Sequence, residues 1–164
     1  VGCHDEEHGV IFASMLSPYM SWHMQLLQDE PLRSLSRLGR FSRALGVFAK
    51  VSDEGVGRVE VGGRISKTFS ERDLKRFEYS RETSKKILLT AGCNPDDIHH
   101  SGFVMGHPSG TVKVGQLLDA NLEMSVRNLY CCDTSIMPEA PGRPPALTIV
   151  VLAKRLARRL ESLV

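Results

Sequence analysis

A chain of 164 residues, 41% hydrophobic and 24% charged, is long enough for one domain with a real core, and its composition is globular rather than disordered. The formal net charge of +2 is too small to imply a nucleic-acid or membrane partner, and no apolar run reaches the roughly 18 residues of a membrane helix. Cys3, Cys93, Cys131 and Cys132 do not form a disulfide framework, so reduced thiols in a cytoplasmic protein are expected.

The start, Val1-Gly2-Cys3-His4-Asp5, is neither basic nor apolar, so it reads as no signal peptide, and a first residue other than Met points to truncation or processing. His4, Asp5, Glu6, Glu7 and His8 read as a frayed polar terminus rather than a metal site, because no second ligand cluster has a matching spacing. The apolar run from Val10 predicts a strand over 9–16, ended by Ser17-Pro18. Trp22, His23 and Met24 read as apolar packing, with a substrate-pocket lining as the alternative. Leu32, Leu35 and Leu38 among Arg and Ser make a short amphipathic or irregular link.

A strand over 44–51, a turn over 53–57, a strand over 58–61 and a third over 64–69 predict an antiparallel meander. Ser70 and Asp73 open a helix over 71–91 with Leu74, Phe77, Ile87 and Leu88 as its apolar face, stopped by Gly92 and Pro95. Its charged residues read as a solvated face. His99-His100 falls in an exposed loop leading to a strand before His107. The final helix, 145–163, is apolar nearly all round from Ala146 to Ala153, which predicts a buried start. Its basic end complements the negative end of the helix dipole.

Three features close together carry chemistry. His107-Pro108-Ser109-Gly110-Thr111 places an imidazole on a Pro/Gly loop, and a histidine titrates near working pH, as a proton acceptor must. Asp133 follows what reads as a buried strand, Leu129-Tyr130-Cys131-Cys132. That position suits a cofactor contact in an α/β sheet, or a turn and cap role with Thr134 and Ser135. Pro145 fits a first helical turn, leaving the N–H groups of Ala146, Leu147 and Thr148 as a positive helix end.

This order of loop, strand and Pro-started helix resembles the C-terminal signature of the glucose–methanol–choline (GMC) family of flavin-dependent alcohol oxidoreductases. The resemblance is strong over the last third of the chain and loose before it. It implies FAD as cofactor and a small-molecule alcohol as substrate. It implies His107 as proton acceptor over the flavin, and Asp133 and Thr134 beside the ribityl–pyrophosphate part. The helix end at Pro145, Ala146, Leu147 and Thr148 would face the flavin pyrimidine edge. Where the family carries Gly-x-Asn-Pro-x-x-Thr, this chain reads Gly142-Arg143-Pro144-Pro145-Ala146-Leu147-Thr148. Pro144 thus replaces the second Asn or His, and a proline side chain neither donates a hydrogen bond nor accepts a proton. Arg143 or a residue elsewhere then takes that place.

The fingerprint Gly-x-Gly-x-x-Gly is absent from the sequence. The resemblance therefore implies a chain completed by a Rossmann portion, in cis or as a separate chain. The expected class is α+β: an antiparallel sheet of the substrate-binding portion with packed helices, plus a C-terminal strand and helix belonging to an FAD-binding α/β domain. The expected division is a substrate-binding portion over 1–104 and the C-terminal part of the FAD domain, with the His loop, over 105–164. The alternative is a degenerate, non-catalytic flavoprotein-like binding module. No metal, nucleic acid or membrane span is expected.

Overall fold

Val10 and Phe12 lie two residues apart on one strand and point to the same side, and their burial organises the first of two units. The computed structural model describes residues 2–15, 44–54, 57–100, 102–103, 106–107 and 109–163. The readings made for Ser17-Pro18, Trp22, His23, Met24, the Leu32 to Leu38 link and Pro108 fall outside the described residues. The architecture is α+β, with two antiparallel sheets and two α-helices among the described residues.

The first unit takes in 1–51 and 71–104. Strands β1 (Gly2–Asp5), β2 (Val10–Ser14) and β3 (Val47–Val51) form an antiparallel sheet in that order. The register sets Asp5 opposite Val10 on one side, and Val10 opposite Val51 and Phe12 opposite Ala49 on the other. The polar start is therefore a paired strand, which corrects the expectation of a frayed terminus. The physical reason is a polar clamp. The Asp5 carboxylate accepts the His8 N–H at 3.0 Å, lies 3.0 Å from His8 Nδ1, and accepts the Tyr79 hydroxyl at 2.5 Å. The His8 and Tyr79 rings stack with centroids 3.7 Å apart.

Helix α1 (Glu71–Thr90) packs on β3 and β2. Its covered stripe is Asp73, Ser80 and Ser84, with Phe77 and Leu88 half-covered, whereas Leu74 and Ile87 are exposed. The predicted apolar face was thus rotated. Small serines allow the helix to approach the sheet closely, which periodicity of large apolar residues does not register. Gly92 (φ 86°) ends the helix in a Schellman motif, with Cys93 N–H donating to the Leu88 carbonyl and Gly92 N–H to that of Leu89, both at 3.0 Å.

The second unit takes in 52–70 and 105–164. Here β4 (Gly57–Val59) and β5 (Ile65–Lys67) form a separate two-stranded sheet. The meander is corrected accordingly: β3 pairs with β2, not with β4. Turn composition marks where a chain reverses, but the partner of a strand is decided by which apolar face it must complete. Lys67 Nζ donates to Asp53 Oδ2 at 2.7 Å and anchors the hairpin to the segment before it.

Leu118, Leu122 and Ile136 form the core of this unit. Val112, Val114, Met124, Cys131, Cys132, Ile149, Leu152 and Leu156 pack around them. The stretch around Leu129 to Cys132 is not a regular strand. It carries an isolated bridge from Glu123 to Tyr130, and Cys131 N–H donates to the Leu122 carbonyl at 3.1 Å. Left-handed residues at Leu122 (φ 67°) and Asn128 (φ 65°) wind the chain here and deny it a ladder. Helix α2 (Ala146–Glu161) turns Ile149, Leu152 and Leu156 to the core. Its start is exposed, not buried as predicted: Leu147 is 76% accessible, and Val150 and Val151 are also exposed. No helix among the described residues is long and apolar enough to cross a membrane.

Candidate active site

The residues expected to meet substrate and cofactor lie on three segments of the second unit, and these segments meet at the cluster of Leu118, Leu122 and Ile136. Val112 N–H donates to the Ser135 carbonyl and Val114 N–H to that of Ile136, both at 3.0 Å. These bonds lay the loop that follows His107 along the turn that follows Asp133. Ile149, in the first turn of α2, packs on the same cluster as Ile136. The beginning of the helix is thereby brought to the same core as the other two segments.

His107 is exposed and left-handed, with φ 58°. Such backbone costs about 1–3 kcal/mol for a residue with a Cβ, so the surrounding loop must impose it. Gly110 (φ 80°) contributes to that constraint. A Cβ there would sit 3.2 Å from Lys113 Cε and 3.4 Å from the Met137 carbonyl oxygen. The His loop passes this close to the segment after Asp133 because the position is glycine.

Asp133 is the N-cap of a short 3-10 turn, Thr134–Ile136, and its Oδ1 accepts the Ser135 N–H at 2.7 Å. Hydrogen bonds from the Ser135 side chain, then from its backbone, hold the carboxyl below the usual range, so it is an anion at neutral pH. The structure thus shows the capping role. Thr134 opens the turn and is half-buried. Cys131 Sγ lies 3.3 Å from Ser135 Oγ, and burial pushes the Cys132 thiol up.

Pro145 is buried and occupies the N-cap of α2, one place before the first turn where it was expected. Its carbonyl accepts the Ile149 N–H at 3.0 Å, and its ring offers no cap. The N–H groups of Ala146, Leu147 and Thr148 precede the first closed turn, so they have no partner in the helix ladder and form its positive end. All three residues are exposed. This donor set fits the electron-rich edge of a flavin ring, whereas the glycine cradle for a pyrophosphate is absent from the sequence. Arg143 is exposed and follows the buried Gly142, whose φ is 61°.

Sequence reasoning missed the framework beneath these groups. Asp119 accepts the N–H groups of Asn121 and Glu123 at 2.8 and 2.9 Å, folding the turn that buries Leu118 and Leu122. Arg155 Nη2 donates to the Ala120 carbonyl at 2.9 Å. Ser52 Oγ donates to the Ala140 carbonyl at 2.9 Å, on the segment leading to α2. A periodic pattern signals none of these, although Asp119 before Asn121 is a recognisable side-chain turn. An open groove of about 350 Å³ is lined by Gln116, Leu117, Asp119, Glu123 and neighbours, and includes none of the expected catalytic residues. No group of three or more His, Cys, Asp or Glu is placed to hold a metal among the described residues.

The GMC oxidoreductase family model for the C-terminal region matches residues 48–153 of this chain. The chain is 31% identical over 117 residues to an uncharacterized protein of Methanocaldococcus jannaschii, covering 71% of this chain and 29% of that one. It is 23% identical over 166 residues to a long-chain-alcohol oxidase of Arabidopsis thaliana, covering 76% of this chain and 22% of the oxidase. It is 32% identical over 102 residues to the paromamine 6'-oxidase of Streptomyces fradiae, covering 57% of this chain and 19% of that enzyme. No solved structure matches. The chain belongs to the GMC oxidoreductase family and corresponds to its C-terminal portion. It spans between 19% and 29% of the length of these relatives.

Proposed function

We propose that this chain is the C-terminal part of an FAD-dependent oxidoreductase that oxidises an alcohol-type substrate. The observation that carries the reading is the shared cluster of Leu118, Leu122 and Ile136, on which the segment after His107, the Asp133 turn and an uncapped helix start meet in a chain of an oxidoreductase family. Residues 1–104 supply the substrate-binding portion, and 105–164 the C-terminal part of the flavin domain. His107 takes the hydroxyl proton as the carbinol C–H bond breaks and the carbonyl forms. FAD supplies the acceptor for the departing hydride. Alcohol then becomes carbonyl, the imidazole holds one proton, and the hydride carries the electron pair.

Arg143 takes the place vacated by the proline at 144. A guanidinium holds the substrate oxygen by donating to it but does not serve as a base. Asp133 and Thr134 would hold the ribityl–pyrophosphate part, where a carboxylate can accept bonds from hydroxyls. Pro145 keeps a donor off the helix start, and the N–H groups of Ala146, Leu147 and Thr148 would favour negative charge on a flavin ring held there. The exposed Leu147, Val150 and Val151 support a partner over α2, namely the Gly-rich Rossmann portion, in cis or as a separate chain. The free thiols favour a cytoplasmic setting.

A second reading, a non-catalytic flavoprotein-like binding module, is favoured by Pro144 and by the absence of the Gly-x-Gly-x-x-Gly fingerprint from the sequence. The visible spectrum of the longest native polypeptide carrying this sequence separates the two. Flavin bands, with turnover lost by about 100-fold or more in His107→Ala while the bands persist, are expected for the enzyme. Flavin without His107-dependent turnover selects the binding module, and no flavin in any form refutes the proposal.

A further inference from the structure

The segment from Pro138 to Pro145 delivers Arg143 and the start of α2, yet it has little means of holding itself. Four of its residues, Pro138, Pro141, Pro144 and Pro145, have no N–H to donate. It makes no ladder, and its one turn of left-handed backbone is the buried Gly142. Its Ala140 carbonyl accepts the hydroxyl of the half-buried Ser52 at 2.9 Å, across 88 residues of sequence. Ser52 is itself fixed, because the adjacent Asp53 is bound at 2.7 Å by Lys67 of β5. An anchored chain of contacts therefore runs from the β4–β5 hairpin through Asp53 and Ser52 to Ala140, and on through Gly142 to the N-cap Pro145.

We infer that Ser52 is a positioning residue, which sets where the N–H groups of Ala146, Leu147 and Thr148 point; this rests on the flavin reading above. Ser52 bonds to the segment before the helix and not to the helix start itself. It acts through the Ala140 carbonyl on the helix end that meets the ring edge. The loss of one hydrogen bond on a segment without a ladder lets the helix start drift, and a displacement of about 1 Å at a charge-stabilising site costs up to about 100-fold in rate.

The test compares Ser52→Thr with Ser52→Val in the full native polypeptide. These variants share a shape and differ in the hydroxyl. Two readouts are taken: the reduction potential of the bound flavin by dye equilibration, and amide hydrogen exchange over 137–149. Ser52→Val is expected to lower the potential and to speed exchange roughly three- to tenfold, while Ser52→Thr matches the unsubstituted protein in both. Should Ser52→Val fail to fold, Ser52→Ala read against Ser52→Thr makes the same comparison. Equal potentials and equal exchange in the two variants overturn the inference and leave the proposed function standing. Absence of flavin from the unsubstituted polypeptide overturns both.

Discussion

Ile136 is the place where the candidate site and the stability of the second unit meet, so its replacement by alanine is the most informative perturbation. The side chain is 1% exposed, and the change removes both γ carbons and the δ carbon. At about 0.8 kcal/mol per buried carbon, the transfer loss is about 2.4 kcal/mol. The residual cavity adds to this, because Leu118 and Leu122 are held on the Asp119 turn and Ile149 on α2, so they close in only partly. Large-to-small changes of this kind cost about 2–5 kcal/mol, and a value of about 3–4 is expected here. For a unit of this size that corresponds to a fall in Tm of roughly 12–32 °C. Urea and thermal unfolding followed by circular dichroism measure it. Ile136→Val serves as the graded control at about 0.5–1.5 kcal/mol. Exchange at the amides of Val112 and Val114, which bond to the Ser135 and Ile136 carbonyls, should accelerate in parallel. An alanine variant costing less than about 1 kcal/mol, or no more than the valine variant, would refute the claim that this side chain holds the three segments together.

The Asp5 clamp predicts a pH dependence. Hydrogen bonds, first from the Tyr79 hydroxyl and next from the His8 backbone, lower the Asp5 carboxyl from 3.8 to about 2. A depressed folded-state pKa gives stability that is present above the unfolded value and lost as pH falls through the folded one, here from about 4 to about 2. Unfolding midpoints should therefore drop over that window, and Asp5→Asn should flatten the drop; an unchanged acid slope in the variant would sink the assignment. At the alkaline end, Tyr79 is raised above 10.0, chiefly by its bond to Asp5, so its contribution is present below the unfolded pKa and lost as pH rises through the folded one. Tyr79→Phe should remove that alkaline loss from the unfolding profile. Gly110→Ala should destabilise by about 1–2 kcal/mol, since φ 80° is left-handed and a Cβ meets the Met137 carbonyl at 3.4 Å; denaturant midpoints indistinguishable from those of the parent sequence would contradict it. Val151→Lys, on the exposed side of α2, should change the unfolding of this chain by no more than about 0.5 kcal/mol. In the longer polypeptide the same change should diminish flavin retention, and full retention there would argue against a partner on that face.

Local chemistry made much of this protein readable from its sequence. The helix at Glu71–Thr90 was legible in its Ser70 and Asp73 start and its Gly92 stop, because a glycine in left-handed backbone closes a helix wherever it folds. The strand at Val10–Ser14 and the helix at Ala146–Glu161 were legible from their apolar runs. The order of a histidine loop, Asp133 and a proline-started helix was enough to indicate the family, since each depends on side chains that are neighbours in sequence. Pairing and coverage were not legible. The polar residues His4, Asp5 and His8 became ordered through Tyr79, a partner 74 residues away from Asp5 that no local pattern announces. The partner of β3 was decided by the apolar face of β2, and the covered stripe of α1 by serines small enough for close packing. The stretch around Cys131 carried the composition of a strand, yet the left-handed residues Leu122 and Asn128 wound it into bridges and turns. Ile136 and Ser52 were ordinary letters until tertiary structure set one beneath three segments and the other against Ala140. Sequence specifies what each residue can do within a few neighbours, while burial and long-range hydrogen bonds exist only once distant segments have been brought together.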